Sequence, residues 1–151
     1  MYLLSIACVI LMTGVLGFVS GMDVGNLFDG ISLLLLLLFL IPMLVSGGLL
    51  KDFNNAFRLG IGKRQPASLM ELKRAKEAVS LAIKVLLAAS AFIGVMSSAL
   101  VLFVVDDLAS LGPSMAVSLI VLIYGMGLVL ILLPLKSRLN LKIQEFINEK
   151  E

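Results

Sequence analysis

The chain has 151 residues, 60% of them hydrophobic and only 15% charged, with a formal net charge of +2. A soluble domain carries about a quarter charged residues, so this composition excludes an ordinary water-soluble globule and makes the bilayer the solvent. Histidine is absent and cysteine occurs once, which removes the commonest metal ligand and proton shuttle and excludes an intramolecular disulfide.

Apolar windows of about 18 or more residues read as membrane-spanning helices, and four qualify. The first is 2–19. A cleaved signal needs a positive n-region, and no Lys or Arg precedes Lys51, so this segment is expected to remain as a span. Ser5-Ile6-Ala7-Cys8 has the look of a lipoprotein cleavage box but lies too near the start to follow a signal. The second window is 31–50, with Pro42 expected to kink it. A short basic segment, 51–78, follows. Gly60 and Gly62 suggest a loop from Lys51 to Gln65, Pro66 breaks any helix, and Ser68-Leu69-Met70-Glu71 has the form of a capping box. A helix is therefore expected to start near Ser68 and run unbroken into the third span, 79–105. Pro113, after Gly112, suits the first position of the helix that carries the fourth span, 115–135. The tail, 136–151, places Leu139, Ile143, Phe146 and Ile147 at helical spacing among charges and reads as an amphipathic extension of that helix.

Every basic residue lies either between Lys51 and Lys84 or between Lys136 and Lys150. Positive charge stays on the cytoplasmic side, so these two regions are predicted to be cytoplasmic. The other two connections carry only acids, Asp23 with Asp29 and Asp106 with Asp107, and face the opposite side. The prediction is an all-α membrane protein of four transmembrane helices, multi-pass in a bacterial cytoplasmic (inner) membrane, with both termini cytoplasmic. Lys84, a short way into the third span, can snorkel back to the headgroups.

No Asp or Glu falls inside any span, so the chain offers no mid-membrane carboxylate of its own. Its small residues suit close helix approach instead: Gly14 and Gly17, Gly47 and Gly48, Gly94, and Gly125 with Gly127. Ser90 and Ser97 share one face of span three, and Ser114 and Ser118 one face of span four. These hydroxyls either line a narrow polar path or bond to backbone carbonyls one turn back. No phosphate loop, metal-ligand spacing or nucleophile with its base is present, so no catalytic residue, cofactor or metal is expected, and no nucleic-acid partner.

The run from Ser110 to Gly125, SLGPSMAVSLIVLIYG, resembles the start of the last helix in the flagellar MotA stator subunit, approximately SSIGPxMAVALLTTLYG. Phe92-Ile93-Gly94 with the Asp106-Asp107 loop is similar to the family's third helix and following loop, and Leu133-Pro134-Leu135 to its closing LP element. Lys51-Asp52-Phe53-Asn54-Asn55-Ala56-Phe57 resembles the family's entry into its cytoplasmic domain. The resemblance to the MotA/TolQ/ExbB group touches spans two to four.

That resemblance implies a MotA-like helix arrangement in a homo-oligomer, a pentamer in that family, around a single-span MotB-like partner whose membrane aspartate binds the ion. It implies pore-facing positions at Val95, Ser97, Ser98, Ser118, Val121 and Tyr124, and helix-packing positions at Gly94, Gly112, Pro113 and Gly125. The family's large cytoplasmic domain shrinks here to a short segment. Its third-helix threonine and its fourth-helix pair correspond to Val95, Val121 and Leu122, leaving Thr13 as the only threonine in the chain. Aliphatic groups in place of hydroxyls make a drier path. Two functions follow: a subunit of an ion channel linked to motility, or a non-conducting accessory that binds full-length stator channel subunits and assembles or regulates them.

Overall fold

The computed structural model describes residues 2–19, 29–61 and 68–148. They form five helices and, among the described residues, no strand: α1 (Tyr2–Val19), α2 (Gly30–Ser46), α3 (Leu50–Ile61), α4 (Leu69–Val104) and α5 (Leu108–Asn148). Asp23, Gly62 to Pro66 and the last three residues, for which the sequence carries expectations, lie outside the described residues.

The centre of the fold is the antiparallel hairpin of α4 and α5, joined by Val105 to Asp107. Along α4 the buried positions Leu72, Ala75, Val79, Ala82, Leu86 and Ala89 advance by alternating steps of three and four residues. Along α5, Ser118, Val121, Gly125, Leu128, Leu132, Leu135 and Leu139 do the same, Leu128 being partly buried. That spacing keeps one seam facing the partner helix over many turns, which is the packing rule of coiled coils. At 1.5 Å per residue α4 is about 54 Å long and α5 about 61 Å, far beyond the roughly 30 Å of a hydrocarbon core. The hairpin therefore has an apolar stretch and a charged stalk.

Local chemistry fixes the helix ends. Ser68 accepts the Glu71 N–H at 3.2 Å and caps α4 where the capping signature predicts. Helix α5 starts at Leu108, five residues before the expected start at Pro113, which sits inside the helix. Asp107 is the reason: its Oδ1 accepts the Ala109 N–H at 3.1 Å and its carbonyl takes both the Ser110 N–H and hydroxyl.

The second window also differs from expectation. Helix α2 stops at Ser46, and the chain turns through 103° into α3. The break is not at Pro42 but at Gly48, whose φ of +62° is the left-handed conformation glycine adopts at no cost. The Leu49 N–H reaches back to the Leu44 carbonyl and the Gly48 N–H to that of Val45, both at 2.9 Å, a Schellman ending. Beyond it, the segment expected as a loop is helix α3. Its inward face, Phe53, Ala56, Phe57, Leu59 and Gly60, recurs at helical spacing, and Phe53 meets Phe57 edge to face at 5.2 Å. Helices α4 and α5 pack against it, with Leu135 of α5 over Gly60, making a small three-helix bundle at the charged end. Ile147 of the tail stays 40% exposed.

Among the described residues two helices, α4 and α5, are long and apolar enough to cross a membrane, or three spans are present if α2 and α3 count as one bent span. Four were expected. At 17 residues α2 measures about 25 Å, because the glycine turn ends it early. Helix α1, 18 residues long, packs on α5.

Candidate functional site

The side chains that the sequence singles out sit on the apolar part of the α4–α5 hairpin. Gly125 faces Ser90 so closely that an added Cβ would lie 2.2 Å from the serine Cβ. One turn further along, a Cβ on Gly94 would lie 2.9 Å from Leu122 Cγ. These two glycines let the helices approach, each opposite a side chain of the other helix. A Cβ on Gly112 would meet nothing within 4 Å, and Pro113 is exposed. Gly14 and Gly127 also face open space.

Nearer the tip, Ser98 and Ser118 hydrogen-bond to each other across the hairpin at 3.0 Å. Ser118 also donates to the Met115 carbonyl at 2.8 Å, and Ser90 to the Leu87 carbonyl at 3.1 Å. The helix interior thus absorbs much of the hydroxyl capacity, as short side chains do when they bond back to the preceding turn. Ser97 is half-buried. The six positions expected on a pore do not share one surface of the single chain: Val95 is 68% exposed, Val121 is buried at 3%, and Ser98 and Ser118 meet inside the hairpin.

Tyr124 points to the start of α2, where its hydroxyl oxygen accepts the Asp29 N–H at 3.1 Å. Asp29 in turn caps α2, its Oδ1 accepting the Ile31 N–H at 3.0 Å and its Oδ2 the Ser32 hydroxyl at 2.6 Å. The Ser32 hydrogen bond, with help from the Ile31 and Ser32 N–H groups, holds the carboxyl below its ordinary value, against a smaller opposing effect of burial.

The charged end is tied by longer-range contacts. The last carbonyls of α3 point toward α5, where Lys142 donates to the Leu59 carbonyl and Arg138 to that of Gly60 at 3.2 Å. Cations one turn apart on α5 thereby neutralise the negative end of the α3 dipole. Lys76 donates to Asn140 at 2.8 Å across the hairpin, and Arg74 pairs with Asp52 at 3.1 Å while reaching the Gly48 carbonyl. Neither the α3 anchor nor the Asp29–Tyr124 contact was read from the sequence. The first had a signal in the Arg138–Lys142 spacing, the second had none.

Lys84 is exposed on α4 one turn beyond Leu81, whose side chain packs against Gly47 at the end of α2. Among the described residues no three of His, Cys, Asp and Glu come together. No protein-family model, curated protein or solved structure matches this chain.

Proposed function

We propose that the chain is a multi-pass subunit of an oligomeric inner-membrane ion channel of the MotA/TolQ/ExbB type, closest to the flagellar stator subunit. In this reading α1, α2 and the apolar stretches of α4 and α5 are four spans, both termini are cytoplasmic, and the subunits surround a single-span partner bearing a membrane aspartate. The observation that carries it is the α4–α5 hairpin. Its helices close on each other at Gly94 and Gly125, within the two segments of motif resemblance, and no acid interrupts either apolar stretch. A hairpin so built is a rigid wall without an ion-binding group, which suits a pore whose carboxylate comes from elsewhere.

A second reading, a non-conducting accessory of full-length stator units, is favoured by the serines. Ser98, Ser118 and Ser90 spend hydrogen bonds on each other or on their own helices, leaving less to hydrate a moving ion. Affinity purification of the full chain from its native membranes separates the two readings. A single-span protein with a membrane aspartate, recovered without full-length channel subunits, supports the channel. Recovery of full-length stator subunits replaces it with the accessory, and recovery of neither overturns both.

A further inference from the structure

Helix α3 lies across the α4–α5 hairpin and not along it. Facing positions of the hairpin keep one register, with Ser98 bonded to Ser118 and Lys76 to Asn140. In that register Leu81 stands level with Leu135, and Arg74 with Lys142. Leu81 packs on Gly47, where α2 ends just before α3, and Leu135 packs on Gly60, near the far end of α3. Arg74 holds Asp52 in the first turn of α3, and Lys142 holds the Leu59 carbonyl in the last. Both ends of α3 therefore sit at one height, between two levels seven residues, or about 10 Å, apart.

At that height the apolar stretch gives way to charge. Only Lys84 is charged between Ala78 and Val105 of α4, and on α5 the first charged residue is Lys136. Where α4 and α5 cross a bilayer, a helix lying crosswise here runs parallel to the membrane at the level of the headgroups.

The outward side of α3 carries two stripes. Leu50 and Ile61, three turns apart, are 43% and 48% exposed. Beside them Lys51 and Arg58, two turns apart with Asn54 between, are exposed as well. Asp52, the only acid in α3, is taken by Arg74. The C-terminal carbonyls that Arg58 could have neutralised are taken by Lys142 and Arg138. Among the described residues neither Lys51 nor Arg58 has a hydrogen bond or an ion pair. An apolar edge beside a basic edge is the pattern of a helix that lies in a lipid interface. Uncompensated cations at that depth are complementary to phosphate, and a leaflet of anionic lipids attracts each of them.

We propose that α3 is an interfacial helix that binds anionic phospholipid headgroups through Lys51, Asn54 and Arg58, with Leu50 and Ile61 among the upper acyl carbons. This rests on α4 and α5 crossing a membrane, and on neither the channel nor the accessory reading.

The test uses the full chain as the Leu50→Trp variant, which has no other tryptophan, in vesicles of mixed phosphatidylglycerol and phosphatidylcholine with one or the other brominated in its acyl chains. Bromine quenches only an indole close to it, so the reading is local to α3. Both lipids are expected to quench, with phosphatidylglycerol favoured at least about threefold. Adding Lys51→Gln and Arg58→Gln together should bring that ratio close to one, and adding Asn54→Lys should raise it. Glu145→Gln, which changes the charge by the same amount as Asn54→Lys but lies off the stripe on α5, leaves it unchanged. At about 1 M salt, where the screening length falls to about 3 Å, the preference should vanish in the parent too. An indole that neither brominated lipid quenches, or a preference that survives loss of both cations, would overturn the proposal. A photoreactive amino acid at Asn54, activated in native membranes, is expected to give a lipid adduct; a protein adduct there overturns the assignment.

Discussion

Ser90 of α4 lies against Gly125 of α5 with no room between them for a methyl group. The same holds one turn away for Leu122 against Gly94. The hairpin is thus closed by absence of side chain at two alternate positions, one on each helix. Gly125→Leu is expected to destabilise the chain by about 3 kcal/mol or more, the upper range of overpacking, because Ser90 and the Leu86 carbonyl behind it cannot yield. Gly94→Ala is expected to cost less, about 1 kcal/mol, since the Leu122 side chain can rotate away. Gly112→Leu is the neutral control. Thermal unfolding in detergent ranks the three, and equal midpoints for all would refute this account of the packing.

The cations on α5 that hold the end of α3 make a second expectation. Lys142→Met and Arg138→Met each remove a charge-assisted hydrogen bond to a helix C-terminus, a loss of about 1–2 kcal/mol locally. Because α3 is short, hydrogen exchange should quicken through Leu50–Ile61 while the apolar part of α4 keeps its protection. Uniform change over all helices would show that the anchor is not local.

Asp29 predicts a pH effect with a definite sign. Its folded-state carboxyl is held below the ordinary value of 3.8, so the stability it contributes is fully present above 3.8 and is lost as pH falls below that. Asp29→Ala should cost about 1 kcal/mol at neutral pH through loss of the cap, and Asp29→Asn much less. In the Asn variant the acid-induced loosening of α2, followed by exchange at its first turn, should be absent.

The serine pair tests how much a hydroxyl contact is worth inside this hairpin. Ser98→Ala and Ser118→Ala, alone and together, form a double-mutant cycle. A coupling near 0.6 kcal/mol is expected, the usual value for hydrogen bonds between membrane helices. If the hydroxyls instead serve a moving ion, both single variants alter conductance while the coupling in stability vanishes.

Much of this fold was legible in the residues. Ser68 with Glu71 announced the start of α4, and the apolar windows located the hairpin, because capping and hydrophobic length are local properties. Gly94 and Gly125 were singled out for packing, yet sequence could not tell them from Gly112, Gly14 and Gly127, since the difference lies wholly in what the other helix places opposite. Helix α3 was missed because two glycines and a run of polar residues read as a loop, while its stability comes from tertiary burial of Phe53, Ala56 and Leu59. The early start of α5 was missed because Pro113 is a stronger signal than Asp107, which caps in its place. Tyr124 and Asp29 are joined by a contact between residues 95 apart in the chain, and nothing local records it.

The unbroken seam from Leu72 to Ala89 gives α4 a mechanical property. The helix crosses from the charged bundle into the apolar stretch without a glycine, proline or loop between Leu69 and Ile93, so neither part can turn alone. A tilt of about 10° at one end of this stretch, about 37 Å long, displaces the other by roughly 6 Å. Whatever grips Lys73, Arg74 or Glu77 at the charged end therefore has leverage on Ser90, and any rearrangement around that serine is read out, enlarged, at the stalk.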